Sequence, residues 1–153
     1  MSEKIFKIQK LLKEVTLWIH PEGPVSGSLF LRPEDGNTAA EIPDDVLNQE
    51  AAFLVMKSNL DGEIRFYNRH AIVRAVYTHQ SGSDMPAAQQ IQCRLLMMDG
   101  SEISGNIREN LPPESARLYD YLNTSQQQFI RVFTGGDEIC LVNKSYIVRV
   151  NEQ

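Results

Sequence analysis

The sequence predicts a mainly β protein, built as two tandem five-stranded small barrels with an N-terminal helix. Three observations support this class. The 153-residue chain has an ordinary globular composition, with 42% hydrophobic and 23% charged residues. Its apolar residues occur in short runs that alternate with polar residues or are continuous over a few positions, which favours strands. The second half of the chain also repeats motifs of the first half in the same order.

The self-match is clearest where residues 63–75 are aligned with residues 138–150. The identities in that alignment are Glu63/Glu138, Ile64/Ile139, Asn68/Asn143, Ile72/Ile147, Val73/Val148 and Arg74/Arg149. A period of this kind is typical of two copies of one supersecondary unit. We therefore predict three parts. Residues 1–77 hold the N-terminal helix and the first repeat, residues 78–90 form a linker, and residues 91–153 form the second repeat.

The N-terminal helix is predicted over residues 4–14, where apolar residues follow the spacing of one helix face. Its lysines form either a solvated face or a surface for a polyanion or an acidic partner. The first repeat continues with predicted strands at residues 15–19, 25–31, 52–56, 64–67 and 72–77, with a turn at Asp61-Gly62. Five short, closely spaced antiparallel strands are typical of a small barrel.

The second repeat follows the same plan, with predicted strands at residues 93–98, 102–108, 129–133, 138–142 and 147–150. Asp99-Gly100 is a hairpin signal, and Gly105 permits a sharp bend or the close approach of another backbone. Each repeat also carries an insertion between its second and third strands, at residues 33–49 and 110–126. A short helix is predicted in each insertion, near residues 43–47 and 112–122. The insertions either cover a binding surface or create one.

The predicted linker is polar and contains Gly, Ser and Pro, with no apolar period. A long loop within one domain is the alternative. The longest apolar runs, at residues 53–56 and 95–98, are far shorter than the roughly 20 residues that span a bilayer. The lysines of the N-terminal segment interrupt any signal-peptide core. We therefore expect a cytoplasmic protein without a membrane partner.

Charge and residue chemistry point away from catalysis. With 15 basic and 20 acidic residues, the net charge is −5, so binding of a polyanion would need a local basic patch. Cys93 and Cys140 are predicted to be reduced, packed thiols. The three histidines do not fall at zinc spacing, and acid pairs such as Asp44-Asp45 lie where helix caps and turns favour carboxylates. We predict no catalytic residue, no metal site and no cofactor.

Short motifs in both halves are similar to a known family. Residues 15–19 and 25–27, and above all the segment Tyr67-Asn68-Arg69-His70-Ala71-Ile72, resemble the Sm-like family in its bacterial, Hfq-like branch. That segment looks like the family's tyrosine-lysine-histidine-alanine-isoleucine motif with one residue inserted, and residues 142–147 form a looser copy. The resemblance implies tandem Sm-like barrels, rings built by pairing of open barrel edges, and uridine-rich RNA held between strands four and five.

Carried over residue by residue, the resemblance implies candidate RNA or partner contacts in the turns between strands four and five. These residues are Tyr67, Asn68, Arg69 and His70 in the first repeat, and Asn143, Lys144 and Tyr146 in the second. A structural interpretation stays open for the repeated asparagines, since Asn tolerates the left-handed backbone of a tight turn. The repeated Arg74 and Arg149 are expected in edge pairing or a cross-strand salt bridge.

Three functional hypotheses follow. The first is a non-enzymatic binding or assembly module, which oligomerises through barrel edges with itself or an unknown protein partner. If each half occupies one ring position, three chains complete a pseudo-hexamer. The second is an RNA-binding regulator that uses the two turns. The third, an enzyme with a site between the halves, would need a pocket of convergent polar groups and ranks last.

Overall fold

The computed structural model describes residues 10–79, 90–109 and 117–153. Over these ranges the protein is mainly β, with few helices and with ten antiparallel strands. The strands are β1 (Leu11–Ile19), β2 (Gly23–Leu31), β3 (Phe53–Ser58), β4 (Ile64–Asn68), β5 (Ile72–Thr78), β6 (Gln90–Met97), β7 (Glu102–Arg108), β8 (Phe129–Gly135), β9 (Glu138–Asn143) and β10 (Ile147–Glu152). The described helices are α1 (Pro43–Leu47) and α2 (Arg117–Thr124), with 3-10 turns at Arg69–Ala71 and Lys144–Tyr146. The chain divides into two compact units, Met1–Ile72 and Val73–Gln153.

In the first unit the strands follow the order β1-β2-β3-β4. β1 and β2 pair along their whole length, from Leu11 opposite Leu31 to Ile19 opposite Gly23. Alternate side chains of these strands are buried, because successive residues of a strand point to opposite faces. The buried apolar residues of the four strands are Val15, Leu17, Ile19, Leu29, Leu31, Leu54 and Met56.

The predicted N-terminal helix is wrong for its last turn, because β1 already begins at Leu11. Residues 11–14 lie opposite residues 31–28 of β2, where a hairpin ladder satisfies their backbone groups. The helix-like spacing of apolar residues is a local preference, and pairing with a neighbouring strand outweighs it here. Residues 4–9 of the predicted helix lie outside the described residues.

Two glycines lie where neighbouring strands come very close. A Cβ atom at Gly27 would lie 2.4 Å from the carbonyl oxygen of Lys57, and one at Gly105 would lie 2.4 Å from that of Phe133. Only a residue without a side chain permits such an approach. The close approach predicted at Gly105 is thus confirmed, and Gly27 shows the same arrangement in β2.

In the second unit the strands follow the order β10-β6-β7-β8-β9-β5. β6 pairs with β7 from Gln90 opposite Arg108 to Leu96 opposite Glu102. The core of this unit is formed largely by aliphatic residues and the two cysteines. Its buried apolar residues include Ile91, Cys93, Leu95, Met97, Ile103, Ile107, Leu118, Phe129, Ile130, Val132, Ile139, Cys140, Leu141 and Val142.

β5, predicted as the fifth strand of the first repeat, pairs antiparallel with β9, predicted as the fourth strand of the second repeat. The structure therefore does not show two closed five-stranded barrels. Four strands lie in the first unit, and six, with β5 counted from Val73, lie in the second. β9 pairs with β8 along one side. The backbone N–H and C=O groups along its other side would be exposed without a second neighbour, and β5 supplies partners for them.

Both insertions contain a short helix. α1 matches the helix predicted at residues 43–47, and the Asp45 carboxylate accepts a hydrogen bond from Ile42 N (3.0 Å) at the start of that helix. α2 covers the second half of the helix predicted at 112–122, of which residues 112–116 lie outside the described residues. Residues 80–89 of the predicted linker also lie outside them. In the described ranges, no helix is long and apolar enough to cross a membrane.

Candidate binding turns and sheet edges

The turn between β4 and β5 is fixed by the side chain of Asn68. Its Oδ1 accepts a hydrogen bond from His70 N (2.9 Å) and so caps the 3-10 turn at Arg69–Ala71. The backbone of Asn68 has φ of −65°, which is extended rather than left-handed. Asn68 therefore has a structural role in the turn, but through capping and not through the backbone conformation that the sequence suggested.

Arg69 is buried, with only 7% of its surface exposed. Its Nε donates to Leu47 O (2.9 Å) and its Nη2 donates to Val46 O (2.8 Å), both at the carboxyl end of α1. A cation at this end of a helix satisfies carbonyls that have no partner within the helix. Burial lowers the pKa of the Arg69 guanidinium. Its Nη1 is also buried and has no hydrogen-bond partner among the described residues.

The other two candidate residues of the first turn are more accessible. His70 is exposed, and Tyr67 is half-buried with its hydroxyl 3.5 Å from Arg65 Nη1. Arg65 in turn forms an ion pair with Asp61 at 3.0 Å. The outward-facing groups of this turn are therefore an imidazole and an amide, whereas its cation points into the protein.

The turn between β9 and β10 is built on the same plan. Asn143 is 1% exposed, and its Oδ1 accepts hydrogen bonds from Ser145 N (2.9 Å) and from Gln128 Nε2 (2.7 Å). The side-chain oxygen of Asn143 thus accepts from the backbone of the turn and from the side chain of Gln128, in the loop before β8. Tyr146, the last residue of this turn, is half-buried, and its carbonyl oxygen accepts from Met98 N (2.9 Å).

Lys144 takes the place of Arg69 in this second turn. Its Nζ donates to Ser125 O at 2.8 Å, and Leu122 O lies 3.4 Å away, near the carboxyl end of α2. Burial lowers the pKa of the Lys144 ammonium. In each unit, then, the cation of the turn holds the end of the inserted helix. In the sequence, a basic residue follows Leu47 and Leu122 at the same distance. Only the structure shows that this residue contacts the end of the helix.

One edge strand of each unit, β4 in the first and β10 in the second, carries exposed apolar side chains. Phe66 on β4 is 70% exposed and Ile64 is 49% exposed, and Val148 on β10 is 57% exposed. Within the described part of the chain, β4 pairs only with β3 and β10 pairs only with β6. Each edge therefore presents backbone hydrogen-bonding groups together with apolar surface.

Other chemistry is sparse in the ranges that the structure describes. No group of three or more His, Cys, Asp or Glu side chains is placed to hold a metal ion there. Burial raises the pKa of the Cys93 thiol to about 11 and that of Cys140 to about 12, so both thiols stay protonated near neutral pH.

Two open cavities lie in the first unit. One of about 220 Å³ is lined by residues that include Phe30 and Phe53, and one of about 430 Å³ by residues that include Leu60 and Arg65. Neither is lined by a histidine or a cysteine. The sheet edges and the two capped turns are thus the features with a defined chemistry.

No protein-family model matches the chain, and no curated protein or solved structure is significantly similar to it.

Proposed function

We propose that the protein is a non-enzymatic cytoplasmic assembly module, whose copies associate through the edge strands β4 and β10. Three chains would bring six repeats into one ring, the arrangement that the resemblance to the Sm-like family implies. One observation carries the proposal. Apolar side chains that are exposed at the two edges have counterparts, at the equivalent positions of the other repeat, that are buried.

The contrast is strongest for β4. Ile64 and Phe66 are 49% and 70% exposed, whereas their counterparts on β9, Ile139 and Leu141, are 1% and 0% exposed. β9 has a strand on each side, β8 and β5, while β4 pairs with β3 alone among the described strands. The side chains at these two positions are therefore buried where a second strand pairs alongside, as β5 does with β9, and exposed on β4.

β10 shows the same contrast with β5. Val148 is 57% exposed, and its counterpart Val73 is 7% exposed. Ile147 is half-buried, and its counterpart Ile72 is fully buried. β5 and β9 pair with each other, whereas among the described strands their counterparts β10 and β4 pair only with β6 and β3.

Association of these edges is favoured by two forces. A strand added to an edge forms main-chain hydrogen bonds, and its side chains select the partner and the register. Burial of one large apolar side chain contributes about 1.5–3 kcal/mol. Loss of translational and rotational freedom costs about 4–15 kcal/mol, so a few buried side chains need the support of the hydrogen-bond ladder. A closed ring also leaves no edge strand exposed to aggregation.

The test is the native mass in solution, measured by light scattering after gel filtration. We expect an assembly of the wild-type chain, with three chains as the expected number, and dissociation of Phe66→Glu, because a carboxylate cannot be buried there without a large penalty. Leu60→Glu is the matched control. Leu60 is 86% exposed but lies in the turn before β4, so this variant should assemble like the wild type. A monomeric wild type, or a Phe66→Glu variant with the wild-type mass, would contradict the proposal.

The RNA-binding hypothesis is tested on the same sample, by treating gently purified protein with ribonuclease before the measurement. Assembly is placed first because Arg69 and Lys144, the two cations of the candidate turns, already donate to backbone carbonyls. A loss of mass with ribonuclease, together with salt-dependent binding of uridine-rich RNA that His70→Ala weakens, would place RNA binding first.

A further inference from the structure

β5 and β9 pair in one defined register. Arg74 lies opposite Val142, Ala75 opposite Leu141, and Tyr77 opposite Ile139, with the two strands antiparallel. The strands at the sheet edges correspond to this pair in sequence and in structure. β4 and β9 both end in a capping asparagine, at Asn68 and Asn143, and a 3-10 turn of the same length follows each of them.

From this correspondence we infer that β10 of one copy adds antiparallel to β4 of a second copy in the register of β5 and β9. The inference rests on the proposed function and names its partner and its contacts. Replacing each β5 residue by its counterpart on β10, and each β9 residue by its counterpart on β4, gives the predicted pairs between copies. They are Arg149 opposite Tyr67, Val150 opposite Phe66, Asn151 opposite Arg65, and Glu152 opposite Ile64.

The side chains that this register brings together fit the positions they would occupy. Val150 would lie directly opposite Phe66, as Ala75 lies opposite Leu141, and would cover part of the 70% of Phe66 that is exposed in one chain. Aromatic and β-branched residues are favourable cross-strand pairs. Asn151 would lie on the other face, opposite Arg65, where its amide oxygen can accept from the guanidinium.

A slip by a single position would remove these pairings. Because the side chains of a strand alternate between faces, a slip places Phe66 opposite Asn151 or Arg149 instead of Val150. The apolar side chain would then face a polar or charged one. The side-chain pattern of the two edges therefore selects the register, as well as permitting the pairing.

Paired cysteines test the register directly in the full-length chain. Ile64→Cys with Glu152→Cys places thiols at positions predicted to be directly opposite, where Cα atoms of antiparallel strands lie about 4.5–5.5 Å apart, inside the range of about 4.4–6.8 Å that disulfides span. Ile64→Cys with Asn151→Cys is the control, since Asn151 belongs to the opposite face. Both native cysteines are buried, with raised pKa values, so they contribute little background under a mild oxidant.

We expect the Ile64/Glu152 pair to form covalent multimers on non-reducing gels, at least about 10-fold more than the Ile64/Asn151 pair. The native mass of each variant under reducing conditions separates the two claims. Assembled protein that links through the control pair, or through neither pair, would overturn the register and leave the proposed function standing. Monomeric variants alongside a monomeric wild type would overturn both.

Discussion

Gly105→Ala should destabilise the protein through short contacts with β8. The added methyl carbon would lie 2.4 Å from Phe133 O and 2.7 Å from Val132 Cγ1. Carbon–oxygen contacts between strands are about 3.3 Å at their shortest, so one backbone must move by roughly 0.9 Å. β7 is paired with β6 at this residue and with β8 at the next, which leaves little room for the movement.

Forced overpacking of this kind costs about 1–3 kcal/mol. The smaller entropy of unfolded alanine offsets about 0.4–1 kcal/mol of this cost, which leaves a net loss of about 1.3 kcal/mol at the centre of the two ranges and of about 2.6 kcal/mol at most. The assay is urea unfolding followed by circular dichroism. With a denaturant slope of about 2 kcal/mol/M, the midpoint should fall by about 0.6–0.7 M.

Gly36→Ala is the matched control for Gly105→Ala. An added Cβ at Gly36 meets no atom within 4 Å, and Gly36 has no positive φ. Its midpoint should stay unchanged or rise slightly. A Gly105→Ala midpoint equal to or above that of Gly36→Ala would refute the argument that the strand approach requires glycine.

Three further predictions concern buried polar groups. Asn143→Ala should lower the free energy of unfolding by about 1–3 kcal/mol, because it removes a buried acceptor of two hydrogen bonds and leaves space where the amide packed. Asn68→Ala, at the exposed counterpart, should lower it by only about 0.5–1 kcal/mol, and equal losses in urea unfolding would contradict this reasoning. Arg69→Met removes both donors to the end of α1 and should lower the free energy of unfolding by about 2–4 kcal/mol. Arg69→Lys keeps a donor and should lower it less. Identical losses for the two variants in urea unfolding would contradict a role for the hydrogen bonds. The thiols of Cys93 and Cys140 should react with a disulfide reagent at pH 8 only after unfolding, and fast reaction of the native protein would count against their burial. Because both folded-state pKa values are raised, the unfolded chain loses these protons first, so stability should decline as the pH rises above about 9.

Local features of the fold were accessible from the sequence. Alternating apolar residues predicted the strands, although β1 is longer than expected. The turn signals at Gly62 and Gly100 coincide with backbone φ values of +74° and +87°, which glycine adopts without a steric penalty. The close approach at Gly105 followed from the same kind of argument. Each of these features depends on a few consecutive residues.

Features that depend on distant residues were not accessible. Nothing local to β5 indicates that its partner is β9, because the pairing joins positions as distant in the chain as Thr78 and Glu138. The burial of Arg69 was also missed, since a basic residue in a turn is usually solvated and its acceptors lie 22 and 23 positions earlier. The resemblance suggested RNA contact for this residue, whereas the structure places its guanidinium against the end of α1.

Association through β4 and β10 is decided by the native mass of the wild-type protein beside that of Phe66→Glu and Leu60→Glu, with and without ribonuclease. We expect a ribonuclease-resistant multiple of the 17.4 kDa chain for the wild type and for Leu60→Glu, and a single chain for Phe66→Glu. A wild-type protein that stays at 17.4 kDa would show that β4 and β10 are not an interface between copies.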